Sequence, residues 1–204
     1  MKEDRETRQK LLACAKKEFM DKGYTGASLR NICRQADVTT GALYFFFRDK
    51  ADLFAALVDE PINRLYELMT SHYRQELGRE KIENPENIED SMDYHAAIDI
   101  IHYAYQHYDE LNLVLTKSND SGYENIIDRF VAVTEEHYRF LTDQICGQYG
   151  HPLLDDYTIH WISHMHIDTF VHMLTHEKSE EAACEHIKLA IRYLFTGFYG
   201  MIQS

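Results

Sequence analysis

Apolar residues in this chain recur at the three- and four-residue spacing of an α-helix, and almost nothing interrupts them. The 204 residues include only 3 prolines and 9 glycines, so long helices meet few obligatory breaks. No segment alternates apolar and polar residues around an Asn-Gly or Asp-Gly turn, the strongest short-range hairpin signal. The pattern predicts an all-α protein.

The first helix is expected over about 4–22. Leu11, Leu12, Ala15 and Phe19 share one face, Lys10, Lys16 and Lys17 decorate the rest, and Gly23 is placed to end it. Ser28 is an N-cap residue opening a second, short helix that buries Leu29, Ile32, Cys33 and Ala36. After the tight turn Ala36-Asp37-Val38, Thr39 caps a third helix that ends near Phe47. Asp49 and Asp52 start a fourth, with Leu53, Leu57, Leu65, Leu68 and Met69 as its core stripe. Pro61 lies inside that stripe and predicts a kink or a restart. A polar run between Gly78 and Ser91 reads as the clearest loop. Helices follow at about 88–117 (with a break near Asp109), 122–149, 153–176 and 180–201. Ser121-x-x-Glu124 has capping-box spacing for the second of these, and Ser179 caps the last.

Charge divides the chain. The total is −13, which taken whole argues against a nucleic-acid binder. Residues 1–50, however, carry 11 basic and 7 acidic side chains, whereas 51–204 carry 10 and 27, together with all 12 histidines. We therefore read a basic domain over 1–50 and an acidic one over 51–204, meeting different partners. No run of apolar residues is long enough to span a membrane, and the N-terminus lacks the apolar core of a secretory signal. Cys14, Cys33, Cys146 and Cys184 are scattered inside apolar patterns without a C-x-x-C, as expected of reduced thiols in the cytoplasm. No nucleophile–base pair, phosphate loop or metal signature speaks for an enzyme, and nothing calls for a cofactor.

Two helices joined by a three- or four-residue turn, the second short, describe a helix-turn-helix. This pair lies in the only net-basic stretch, and the first helix offers an apolar face for it to pack on. The outward residues of the third helix are small or hydrogen-bonding: Thr39, Thr40, Gly41, Ala42 and Tyr44. Such residues let a helix approach phosphates and enter a major groove.

The segments Thr7-Arg8, Leu11-Leu12, Ala15, Phe19, Gly23-Tyr24, Ser28-Leu29-Arg30-Asn31-Ile32, Val38-Thr39-Thr40-Gly41-Ala42-Leu43-Tyr44, Phe47, Lys50 and Leu53 resemble the DNA-binding domain of the TetR family of bacterial transcriptional regulators. The resemblance runs without gaps over about residues 5–57. It implies an N-terminal three-helix DNA-binding domain and a C-terminal helical bundle that binds ligand and dimerises. It further implies a homodimeric repressor that leaves a near-palindromic, double-stranded operator when a small-molecule effector binds. Carried over residue by residue, Ser28 caps the second helix and meets a phosphate, and Arg30 reaches a base edge or a phosphate. Thr39, Thr40 and Gly41 face the groove, while Tyr44 and Lys50 bond the DNA backbone. The family's usual turn glycine is replaced by Asp37, a residue that tolerates a left-handed conformation. Phe46 stands where a phosphate-binding histidine is frequent. Leu43, Phe45, Phe46 and Phe47 cannot all point inward from one helix, and Phe45 is the one we expect outside, against a thymine methyl.

The acidic part offers two clusters. His160, His164, His166, His172 and His176 share one expected helix with Trp161, Met165, Phe170 and Met173. Two pairs are four residues apart, which admits a metal- or haem-sensing regulator. Against this, no H-E-x-x-H and no Glu-x-x-His occurs, and five histidines spread around most of such a helix. The competing reading makes this helix and the last one a dimer interface, with Trp161, Met165, His172, Ile191, Leu194, Phe195 and Phe198 in it. A second cluster suits a pocket for a flat, partly polar ligand: His102, Tyr103, Tyr105, His137 and Tyr138, joined by His164 and Asp168. The same aromatic residues are ordinary at helix packing sites.

Overall fold

The computed structural model describes residues 2–77 and 88–202, and among these it contains helices and no strand. In chain order they are α1 (Lys2–Gly26), α2 (Leu29–Ala36), α3 (Thr40–Phe46), α4 (Lys50–Leu77), a 3-10 turn (Ile88–Asp90), α5 (Met92–Gln106), α6 (Tyr108–Lys117), α7 (Ile126–Tyr149), α8 (Asp156–His176) and α9 (Glu180–Ile202). Residues 78–87 of the expected loop lie outside the described residues. Two compact units result. One joins Met1–Asn63 to His107–Asn125, and the other joins Arg64–Gln106 to Ile126–Ser204. The first unit thus continues past residue 50 and gathers α6 from later in the chain.

In the first unit, Leu11, Ala15, Phe19, Ile32, Leu43, Leu53, Phe54 and Val58 are fully buried around one core. Within it Phe19 and Tyr24 stack, and Phe54 meets both edge to face, with ring centroids 5.1–6.0 Å apart. α1 breaks at Gly23, whose φ of 68° and ψ of 171° are readily available only to glycine. Asp37 ends α2 at φ 55° and ψ 46°, and its N–H reaches back to the carbonyls of Cys33 and Arg34. Glu18 is the one acid on the buried face of α1, and it is 5% exposed. It accepts from the backbone N–H of Ser28 at 3.2 Å, from Gln35 at 3.1 Å and from the Asn31 amide, fixing α2 on α1. α6 packs on α1 through Lys16, which pairs with Asp109 at 2.9 Å and Glu110 at 3.0 Å, while Lys117 donates to the Met20 carbonyl.

α4 does not restart at Pro61. The helix runs on through it, and Pro61 and Ile62 are both buried, so packing offsets the lost N–H bond. The break expected near Asp109 falls instead at His107, whose φ of −120° and ψ of 30° separate α5 from α6. Ser121 and Glu124 do not cap α7. They close the turn before it, where Ser121 Oγ accepts from the Tyr123 N–H at 3.2 Å and Glu124 from the Gly122 N–H at 3.1 Å. Asp120 and Gly122 have positive φ there, which delays the helix to Ile126.

The second unit has three apolar clusters. Ala97, Ile101, Met173, Ala183, Ile187 and Ile191 join α5, α8 and α9. Tyr138, Ile145, Cys146, Ile159, Ile162, Phe198 and Ile202 join α7, α8 and α9. Met69, Tyr73, Val131 and Ile167 join α4, α7 and α8. Asp155 caps α8 by accepting from the Thr158 N–H at 2.7 Å.

Candidate nucleic-acid interface and effector unit

The surface of α2 and α3 is built from caps outward. Ser28 Oγ accepts from the Asn31 N–H at 3.4 Å and Thr39 Oγ1 from the Ala42 N–H at 3.1 Å, so both hydroxyls satisfy helix starts while remaining exposed. Leu43 points into the core at 0% exposure, and this turns Thr40, Gly41 and Tyr44 outward. Phe45 is 76% exposed, whereas Phe47 is buried and Phe46 half-buried. An exposed phenyl ring at that level costs the isolated protein solvation, so it is a candidate contact for an apolar partner. Gly41 has no internal reason to be glycine. A Cβ there would meet only Thr39 Oγ1, at an ordinary 3.8 Å. Its smallness serves whatever approaches from outside.

The basic groups around this surface are positioned. Arg30 is exposed. Lys50 is half-buried, donates to the Thr25 carbonyl at 3.1 Å and lies 4.8 Å from the Tyr24 ring centroid. Burial holds its pKa below the usual lysine value. Arg48 pairs with Asp52 at 3.2 Å, and Asp52 also accepts the Arg48 N–H at 2.9 Å, which lowers the carboxylate's pKa. Arg8 lies over Phe47 at 5.4 Å.

The seven residues expected to line one ligand pocket separate. His102 is exposed and bonds Glu180 at 2.8 Å, and the Tyr105 hydroxyl donates to the Glu177 carbonyl at 2.9 Å. These two tie α5 to the end of α8 and the first residue of α9. Tyr103 is half-buried on the same helix, Asp168 is exposed, and His164 packs on His160 with centroids 4.6 Å apart. His137 and Tyr138 are buried in the unit's interior. Tyr138 alone of the seven also borders a recess of about 130 Å³ shared with Trp161, Met165, Leu194 and Phe198. That volume is well below the few hundred Å³ of a drug-sized site.

Of the residues expected at a dimer interface, Trp161 is 47% exposed, His172 is exposed, and Met165, Leu194 and Phe195 are half-buried. Ile191 and Phe198, 5% and 7% exposed, pack within the chain's own apolar clusters. Sequence periodicity could not tell a core stripe from an interface stripe on a helix that is apolar on more than one face. On α8 and α9 the exposed apolar side chains that it missed are Tyr157, Leu189 and Tyr193.

The histidine-rich helix does not assemble a metal site among the described residues. His160 bonds Glu135, His166 Nδ1 lies 2.9 Å from the Tyr138 hydroxyl, and His172 stacks on His176 at 4.1 Å. Burial lowers the pKa of His166 from 6.5 to about 4.

Sequence reasoning also missed a polar cluster in the interior. His72 Nε2 lies 2.9 Å from Asp93 Oδ1 and 3.7 Å from Glu76 Oε2, and His137 Nε2 lies 2.8 Å from that same Glu76 oxygen. Beside them, Tyr73 stacks on His137 with centroids 3.9 Å apart and bonds Thr134 at 3.0 Å. Burial raises the pKa values of both Tyr73 and Tyr138. One signal was available: His72 and Glu76 are four apart on a single helix.

Comparison with known proteins fits this division. Residues 11–57 match the bacterial regulatory proteins of the tetR family. Over 80 residues the chain is 34% identical to the HTH-type transcriptional repressor AcnR of Corynebacterium glutamicum, a match covering 39% of this chain and 43% of that protein. Over 55 residues it is 44% identical to the HTH-type transcriptional regulator AcrR of Shigella flexneri, covering 27% and 26%. The matches thus span less than half the length of these relatives. Among solved structures, NalD, the secondary repressor of the MexAB-OprM multidrug efflux pump in Pseudomonas aeruginosa, superposes with a TM-score of 0.63 at 18% identity over 97% of this chain and 98% of that one. A transcriptional regulator from Aquifex aeolicus gives 0.62 at 14% identity, over 92% and 99%. At those identities the likeness is one of fold. The family's signature thus lies on the helices that present Thr39 to Phe45, and over residues 11–57 the chain matches the tetR family of bacterial regulatory proteins.

Proposed function

We propose that the protein is an effector-responsive transcriptional repressor that binds a palindromic, double-stranded operator as a homodimer and releases it when a small molecule occupies the second unit. The observation that carries the reading is the outward face of α3. Thr40, Gly41, Tyr44 and Phe45 are exposed beside Arg30 and the cap hydroxyls of Ser28 and Thr39, in the one net-basic stretch of the chain. We assign Thr40 and Phe45 to base edges, and Tyr44 and Lys50 to the sugar-phosphate backbone. The names of two relatives support the reading: AcnR is called a repressor, and a structure of fold-neighbour AibR holds isovaleryl coenzyme A and operator DNA.

Dimerisation follows from geometry, because two recognition helices reading a palindrome must stand about 34–36 Å apart. The exposed apolar side chains on α8 and α9, with Trp161, Leu189 and Tyr193 foremost, are the surface we assign to it. The acidic excess of residues 51–204, 27 acidic against 10 basic side chains, repels DNA from that part of the chain.

Selection of bound fragments from a random DNA pool tests the proposal. The expected result is an inverted repeat with half-sites one helical turn or a multiple of it apart, and Thr40→Ala should change the preferred base at one or two positions per half-site, at a cost of about 1–3 kcal/mol. A pool that shows no enrichment would overturn the reading.

A further inference from the structure

We propose that His72, Glu76 and Asp93 form a binding site for a divalent transition-metal ion of the zinc class inside the second unit, with His137 holding Glu76 in place. This site takes its ligands from α4 and α5, not from the histidine-rich α8, and does not depend on the DNA-binding reading.

The argument is first geometric. His72 and Glu76 stand four apart on α4, so both project from one face, and Asp93 enters from the first turn of α5. The three ligand atoms lie within 4.8 Å of one another. A tetrahedral ion with bonds of about 2.0–2.1 Å sets its ligand atoms roughly 3.3 Å apart. The two separations measured from His72 Nε2, 2.9 Å to Asp93 and 3.7 Å to Glu76, fall on either side of that value.

Burial and charge point the same way. The side chains of His72, Glu76 and His137 are 10%, 13% and 6% exposed, and Asp93 is 27% exposed. Among the described residues, the ion-pair partners of both carboxylates are histidines, with no lysine or arginine. Two carboxylates drawn this far from water need a compensating cation. His137 supplies an independent observation. Its Nε2 is 2.8 Å from Glu76 Oε2, yet that oxygen meets no hydrogen-bond geometry, and the ring's buried Nδ1 has no partner among the described residues. Glu76 Oε2 is thus a buried acceptor that a bound ion would complete.

The ligand chemistry selects the ion. An imidazole nitrogen with two carboxylates suits zinc and its first-row neighbours, whereas magnesium and calcium take oxygen alone. Three protein ligands leave a fourth position open, as in sites that also bind water or an exchangeable donor.

The test uses the full chain, purified without a histidine tag and stripped by a chelator. Zn²⁺ is titrated calorimetrically, and Co²⁺ replaces it so that the visible spectrum reports coordination number. We expect one ion per chain and a Tm that rises with Zn²⁺. Asp93→Asn keeps the size of the side chain and one accepting oxygen for His72 while removing the charge. It and His72→Gln should each weaken binding about 100-fold, and His137→Gln about tenfold. His160→Gln together with His164→Gln should change nothing. Absence of stoichiometric binding overturns the proposal, as does binding indifferent to Asp93→Asn. If His72→Gln fails to fold, the Asp93→Asn titration and the wild-type Co²⁺ spectrum still decide.

Discussion

The two units bury acidic groups in opposite ways. In the first unit, Glu18 sits at 5% exposure with three donors from α2 around it, so its charge is answered by the chain itself. In the second, Glu76 Oε2, His137 Nδ1 and Thr142 Oγ1 are buried without hydrogen-bond partners among the described residues. A fully satisfied polar group locks one geometry, while a half-satisfied one is costly until something completes it. The first unit is thus built to hold a fixed reading surface. The second keeps interior chemistry in reserve for a partner that the chain does not supply.

The strongest way to break this comparison is Glu18→Ala. It strands the Ser28 N–H and the Asn31 and Gln35 amides together, so denaturant unfolding should report a loss of about 2–3 kcal/mol. A loss under about 0.5 kcal/mol would mean that α2 is held on α1 by apolar packing alone.

A smaller effect sharpens the other half. His166, buried near Asp93, His137 and His72, has its pKa lowered from 6.5 to about 4. The unfolded chain therefore takes up a proton near pH 6.5 while the native chain refuses it until about pH 4. Stability from this group is present above pH 6.5 and is lost as pH falls through that window, by about 2 kcal/mol between pH 7.5 and pH 5. His166→Phe should flatten that part of the stability curve. An unchanged slope would place the acid sensitivity elsewhere.

The same contrast explains what the sequence made legible. Ser28, Thr39 and Asp37 act within a few residues of themselves, so their cap and turn roles could be read from residue type alone, as could the outward turn of Phe45. His72, Glu76, Asp93 and His137 come from three helices, and only packing brings them together. Their convergence leaves no local trace beyond the His72–Glu76 spacing. Ile191 and Phe198 pose a related case: apolar periodicity marks a buried face without saying whether the chain or a second copy buries it. The place of α6 in the first unit depends on Lys16 meeting Asp109 and Glu110, a pairing over 93 residues that no window of sequence contains.

The central claim is that a basic reading surface works on a chain of net charge −13. The most direct test is the affinity of the full chain for its selected DNA as salt is raised. The account predicts a steep linear fall of log K with log salt, as counterion release requires, with Tyr44→Phe and Lys50→Ala weakening binding alike on every sequence. A flat salt response would contradict it.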